Sequence, residues 1–410
     1  MKEQAFERLS DEDAAAQFAV VADELYTGTL SESPAPGGVI VADGVIGQVG
    51  TANAIRAEAV AAGIETVEAN GPSTLIPGLV DAHVHLAWGG RSLEGGALSE
   101  RSMEIAARTA LAAGITTVRD CGSPGLAVLR LRDRINEGSI VGPRVFACGP
   151  AITTTGGHGQ FIGVTADTGI ELQRRVTELA AAGVDAIKVM ATGGAIDPQT
   201  NRRRAQYRAE DLVALVAEAH RLGLPVIAHC NATEGIAHAV AAGVDTIAHC
   251  NWLGAEDGTI DYRPALAEEI VRQGISIDLN LEATLAPLAA GDGHAQVWVG
   301  HAPANRWELH VELRRRGAIV FLTSDEFGAG VAHFPRLLAS AIGAGQIPAP
   351  EAIHRASAVP AAVLGIAGSA GTIAIDKNAD LVLLEGRLGA DPTTLLRVRR
   401  VWRAGRPLAP

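Results

Sequence analysis

From about residue 75 the apolar positions fall into a rhythm: a short β-rich run, a glycine-containing loop, then an alanine- and leucine-rich segment of helical period. The runs are LIPGLVDAHVHL, ITTVRDCG, RVFACGPAIT, DAIKVMATGG, LPVIAHC, VDTIAHC, ISIDLN and AIVFLTSDE, and segments such as RSMEIAARTALAAG and AEDLVALVAEAHRLG lie between them. Strands alternating with helices predict a parallel sheet, and eight strands is the number that closes a (β/α)8 TIM barrel. An open doubly wound sheet also alternates. It usually has fewer strands and a Gly-rich phosphate turn, and TGGHGQF lacks the G-x-G-x-x-G spacing.

The two ends follow a different pattern. FAVVADELY and GVIVADGVIGQVG before the rhythm, and GTIAIDKNADLVLLEG and VRRVWRAGRPL after it, are strand-like and rich in turn residues. The prediction is therefore α/β: a barrel over residues 75–365, with a small β-sandwich assembled from residues 1–74 and 366–410.

Composition narrows the function classes. The 410 residues are 48% hydrophobic and 20% charged, a globular balance. A net charge of −12 gives the chain no attraction to nucleic acid or to an anionic membrane. MKEQAFERLSDEDAAAQ is polar with no apolar signal core, and no window approaches the roughly twenty apolar residues of a membrane span. Cys121, Cys148, Cys230 and Cys250 form no close pair in sequence, so the expected setting is cytoplasmic and reduced.

The chemistry gathers at the ends of the predicted strands, the rim where barrel sites lie. His83 and His85 stand two apart in DAHVHL, so on a strand both point to one face and can reach one metal ion. His229 and His249 each follow an apolar run and are separated by one helix-sized segment, which predicts adjacent strands carrying both to the same rim. Each alone reads more readily as a hydrogen-bonded core histidine. Lys188, one of three lysines with Lys2 and Lys377, lies inside an apolar run, where an unpaired ammonium is costly. A neutral amine there can take up carbon dioxide as a carbamate able to bridge two cations; a strand-end lysine snorkelling to solvent is the alternative. Asp325 ends the last run, where a carboxylate can bind metal and accept a proton, or merely cap a turn.

With these residues in place, the chain resembles the metal-dependent amidohydrolase superfamily over nearly its whole length. The resemblance rests on IPGLVDAHVHL, Lys188, the two strand-end histidines, Asp325 and GTIAIDKNADLVLLEG. It implies two divalent cations, zinc foremost. His83, His85 and Asp325 would hold one, His229 and His249 the other, and carboxylated Lys188 would bridge them. A narrower resemblance is to the binuclear-zinc prolidase-like group of Xaa-Pro and Xaa-Arg dipeptidases and ochratoxinase-type amidases. It rests on TTVRDCG, TTGGHG, IKVMATGG and AQYRAEDL, and it implies that His158 and Tyr207 contact the substrate carboxylate; a loop histidine and a packing tyrosine are the alternatives.

Two features depart from the pattern. Glu326 stands beside Asp325 where many relatives carry a small residue, and alternation would turn it away from Asp325. Cys230 and Cys250 adjoin proposed ligands, and alternation directs them to the helices as buried hydrophobes. The run Arg202–Arg204 reads as a solvated loop, or as added positive charge for a carboxylate.

The resemblance implies cleavage of an amide or peptide bond by a hydroxide bridging the metals, with Asp325 as the proton carrier. The expected partner is a small-molecule or peptide substrate carrying a free carboxylate, and a homo-oligomer is compatible with the composition. Removal of a segment during maturation of a peptide natural product, or cleavage of a xenobiotic amide, would use the same residues. A non-catalytic barrel scaffold is the rival from another class, and retention of every ligand position argues against it.

Overall fold

The computed structural model describes residues 17–30, 33–257, 259–281 and 306–408; residues 1–16 of the expected N-terminal region lie outside the described residues. The N-terminal part forms β1 (Phe18–Leu25), β2 (Ala35–Ala42), β3 (Val45–Thr51), α1 (Ala52–Ala62), β4 (Glu65–Val67) and β5 (Ser73–Pro77). The central part runs β6 (Leu79–His85), α2 (Glu100–Ala112), β7 (Ile115–Asp120), α3 (Ala127–Asn136), β8 (Arg144–Ala147), β9 (Ala151–Thr153), β10 (Gly163–Thr165), α4 (Gly169–Ala181), β11 (Ile187–Met190), α5 (Ala209–Arg221), β12 (Val226–Ala232), α6 (Thr233–Ala242), β13 (Thr246–Leu253), α7 (Pro264–Gln273) and β14 (Ser276–Asn280). A helix at Arg306–Arg315 precedes β15 (Ile319–Thr323) and the two-residue β16 (Glu326–Phe327), and β17 (Leu381–Glu385), β18 (Val398–Arg403) and β19 (Arg406–Pro407) finish the chain.

The helices start and stop where local chemistry dictates. Thr168 and Glu171 form a reciprocal capping box at the start of α4, and Ser99 caps α2 through the backbone N–H of Ser102. In α2 the buried stripe is Met103, Ala106, Ala107, Ala110 and Leu111, at the spacing one helical face requires. Gly243 ends α6 with φ 75°, a left-handed turn that returns the chain into β13.

Central strands pair in parallel, as the alternation predicts, but the hydrogen bonding falls into two arcs rather than one closed ring. One arc is β16-β6-β7-β8 and the other β10-β9-β11-β12-β13-β14-β15. The expected third strand, RVFACGPAIT, is split into β8 and β9 around Gly149, whose φ of 64° interrupts extended structure. The two arcs also meet at β6 and β15, joined by the backbone of Asp325 donating to the carbonyl of His83 at 2.9 Å. One extensive core fills the space between strands and helices, with Val84, Val118, Val189 and Ile247 packed against residues such as Met103, Leu172 and Leu215. A small interior cluster, Cys121, Cys148, Ala186, Ile227 and Ala248, contributes to the packing between the strands.

Both termini pair, but into a single ladder of eight strands rather than two hydrogen-bonded layers: β19-β18-β17-β5-β1-β2-β3, with β4 on β1. The join is β5 antiparallel to β17, from Leu381↔Pro77 to Glu385↔Ser73. Alternation divides β1 between two faces. Ala19 and Val21 pack beneath Ile55 and Ala59 of α1, while Phe18, Val20 and Ala22 share a cluster with Val39, Leu381 and Trp402. Phe18 stacks on Trp402 with ring centroids 5.6 Å apart although β5 and β17 separate their strands in the ladder, so the sheet curls on itself.

Candidate active site

Six side chains singled out in the sequence line one cleft: His83, His85, Lys188, His229, His249 and Asp325. His83 and His85 leave the end of β6 on the same face, and their Nε2 atoms each lie 3.4 Å from Asp325 Oδ1. These three donors converge closely enough to share an ion. Second contacts orient both rings. His83 Nδ1–H donates to Asp278 Oδ2 at 2.5 Å, and His85 Nδ1–H donates to the Gly122 carbonyl at 2.8 Å. Each bond leaves the Nε2 lone pair facing Asp325, the arrangement in which imidazole binds metal.

Lys188 is 1% exposed, so it does not snorkel; its Nζ donates to His83 Nε2 at 3.0 Å. His249 lies between the other rings, with centroid distances of 5.4 Å to His83 and 4.5 Å to His229. His229 Nε2 receives Asn231 Nδ2 at 2.9 Å and lies 3.3 Å from the Gly193 carbonyl.

The position of His249 depends on strained backbone. Ala248 packs with the interior cluster, so plain alternation would send His249 outward among the helices. Instead His249, Cys250 and Trp252 have φ of 66°, 48° and 53°, which redirects the chain so that His249 lines the cleft and Cys250 packs in the outer core. Left-handed conformations at non-glycine residues cost roughly 1–3 kcal/mol each and persist only where surroundings hold them. Here His310 Nε2–H donates to the His249 carbonyl at 3.0 Å, Asp261 N–H to the Trp252 carbonyl at 2.8 Å, and Asn251 Nδ2 to Asn231 Oδ1 at 2.6 Å. Asp325 is likewise left-handed, with φ 57°.

Charge follows from burial and neighbours. Burial drives the imidazoles of His229 and His249 well below the ordinary range, so both are neutral and hold lone pairs. Burial alone would lower His83 and raise Asp278. Neighbours reverse both: His83 is raised by Cys121, Asp278 and Asp325, and Asp278 is brought down to about 2, chiefly by His83. Asp325 is held well below the carboxylate range against its burial, first by His83 and then by Arg91. Asp81, fully buried, is pushed up to about 8 by burial.

Of the two expected substrate contacts, the structure brings only one to the cleft. His158 lines it, its ring 4.7 Å from that of His229, lowered to about 4 by burial and with Nδ1 lacking a hydrogen-bond partner. Gly194 has to be glycine beneath it, since a Cβ there would come within 2.1 Å of His158 Nε2. Tyr207 does not line the cleft: it is 4% exposed, and its hydroxyl donates to the Ala166 carbonyl at 2.8 Å. Arg203 also departs from the solvated reading. It is buried, and its Nη1 donates to the carbonyls of Gly254 and Thr259 at 2.9 and 3.1 Å, stapling one loop to another.

Other contributors were not singled out from sequence. Asp278 sits inside ISIDLN, and an acid within an apolar run was the available signal. Asn231 and Asn251 follow the two His-Cys pairs, and the repeat HCN was visible in outline. Arg91, in the loop after β6, carried no signal.

The Amidohydrolase family model matches residues 74–408. Ochratoxinase of Aspergillus niger is 32% identical over 205 residues, which is 41% of this chain and 42% of the relative, so the match spans under half the length of that curated relative. Among solved structures, a prolidase candidate from Bifidobacterium longum is 28% identical, covering 97% of this chain and 95% of that one with a TM-score of 0.78. A Xaa-Pro dipeptidase with bound methionine in its active site shares the fold at 23% identity, covering 96% and 100% of the two chains with a TM-score of 0.79.

Proposed function

We propose that this chain, which belongs to the amidohydrolase family, hydrolyses an amide or peptide bond in a small molecule or short peptide, using two divalent cations, zinc foremost. The observation that carries the reading is the convergence of His83, His85 and Asp325 in one cleft with Lys188, His229 and His249. The donor set fits such ions. His229 and His249 are neutral, the Nε2 atoms of His83 and His85 are aimed by their Nδ1 bonds, and Asp325 is ionised. His83, His85 and Asp325 would hold one cation and His229 and His249 the other. Lys188, as a carbamate, would serve both. When bound, such ions lower the pKa of water towards neutrality and polarise a carbonyl.

The protein's own groups supply the rest. Asp325 accepts the proton of the attacking water and returns it to the leaving nitrogen. Phe161, Ile162, Met190, Ile196 and Phe327 give the cleft apolar walls for a substrate side chain. His158 offers a buried ring nitrogen without a partner, which suits one end of the substrate, a free carboxylate in this reading. The ochratoxinase and dipeptidase relatives support amides of amino acids as the first class to try.

The test is a panel of Xaa-Pro, Xaa-Arg and N-acyl amino acids with zinc-loaded protein, together with Asp325→Asn. Hydrolysis by the wild type is expected, with turnover abolished in the variant and metal still bound. Full activity in Asp325→Asn would reject the assigned role. Binding of less than one metal per chain after zinc supplementation would favour the scaffold reading.

A further inference from the structure

Arg91 does not line the cleft, yet it touches the residue on which the proposed proton transfer depends. Its loop leaves β6 and doubles back on itself: Gly89 N–H donates to the Gly96 carbonyl at 3.0 Å, Leu98 N–H to the Ala87 carbonyl at 2.9 Å, and Trp88 Nε1–H to the Ser92 carbonyl at 2.9 Å. This braced hairpin carries Arg91 across the junction between β6 and the end of β15. There Nη2 donates to the carbonyl of Asp325 at 2.5 Å and approaches that of Ser324 at 3.4 Å. Nη1 lies 3.7 Å from Asp325 Oδ2, and Nε lies 3.8 Å from Glu326 Oε2. The guanidinium also stands over the ring of Phe327 at 5.6 Å, and Phe327 stacks on His85 with centroids 4.4 Å apart.

We propose that Arg91 is a positioning residue for the reaction: it clamps the junction of the first and last barrel strands, holds Asp325 in its left-handed backbone conformation, and through Phe327 braces the ring of His85. This goes beyond the preceding reading and rests on it only where turnover is the measurement. Three features support the assignment. Asp325 has a conformation that non-glycine residues rarely adopt, so something has to hold it. The junction is where hydrogen bonding between the two strand arcs is sparse. A planar fork can engage a backbone carbonyl, two carboxylates and an aromatic face together, which an ammonium cannot. Glu326 thereby finds its place: it and Asp325 are gathered by the same guanidinium from different sides.

The experiment compares wild type, Arg91→Lys and Arg91→Ala loaded with cobalt(II), a visible probe of ligand geometry. Measured quantities are the cobalt absorption spectrum, metal content, and kcat and KM on any substrate the wild type cleaves. A misplaced reacting group can cost about 10²-fold in rate. Arg91→Ala is therefore expected to lose kcat on that order with KM unchanged and with an altered cobalt spectrum. Added guanidinium should restore part of the spectrum and rate, and Arg91→Lys should fall between. Wild-type kcat and spectrum in Arg91→Ala would overturn the proposal. So would a loss that guanidinium does not reverse, accompanied by a lower melting temperature, which marks a general packing role. The spectrum and its rescue require no substrate. An inactive wild type would thus count against the proposed function while the cobalt data still decide the role of Arg91.

Discussion

Replacing Asp278 by Asn keeps the shape and an acceptor for His83 Nδ1–H but removes a charge that is fully buried. The carboxyl falls from its ordinary 3.8 to about 2 in the folded protein, a shift corresponding to roughly 2 kcal/mol. Because the folded value lies below the unfolded one, this stabilisation is fully present above about pH 4. It is lost as the pH falls through the folded value near 2. Metal-free wild type should therefore lose on the order of 2 kcal/mol between those limits through this residue, and Asp278→Asn should lack that contribution throughout. The same substitution removes the carboxylate that orients His83, and loss of such a partner typically weakens metal binding by about 10–100-fold. Urea unfolding of metal-free protein at pH 7 and pH 3, where about 1 kcal/mol of that loss has accrued, measures the first effect, and zinc competition against a chelator measures the second. If the two proteins showed parallel acid dependence and equal zinc affinity, the argued coupling between Asp278 and His83 would be refuted.

Two further substitutions separate structural from functional roles. Tyr207→Phe removes one buried hydrogen bond to the Ala166 carbonyl, so it should cost about 1 kcal/mol in unfolding experiments and leave KM unchanged. A large rise in KM would return this tyrosine to the substrate. Trp402→Ala hollows the cluster that joins the two ends of the chain and should cost about 3–5 kcal/mol; a change under 1 kcal/mol would show that the curled sheet contributes little.

The residues readable from sequence are those whose side-chain chemistry conflicts with their surroundings. Histidines at the ends of apolar runs and a lysine within one were conspicuous, and alternation placed His83 and His85 on one face. What escaped depends on backbone geometry that no periodicity encodes. The left-handed turn at His249 reverses the face that alternation assigns, and the break at Gly149 divides one expected strand into two. Arg91 escaped because its partners are backbone carbonyls and residues more than two hundred positions away. Tyr207 shows why a motif resemblance alone leaves a role open: its hydroxyl is satisfied within the packing, and only the kinetic comparison above decides whether it meets substrate. The terminal regions were legible as strands, but whether they form two layers or one curled ladder is decided by long-range pairing. No helix among the described residues is long and apolar enough to cross a membrane.

The pairing of β5 with β17 has a bearing on biogenesis. Only Gly78 separates β5 from β6, so the segment that presents His83 and His85 is anchored to a partner synthesised some three hundred residues later. A ribosome must therefore release almost the entire polypeptide before that anchor can form. Shortening the carboxyl end upstream of Leu381 would leave β5 as an unpaired edge beside the strand that carries the earliest histidines.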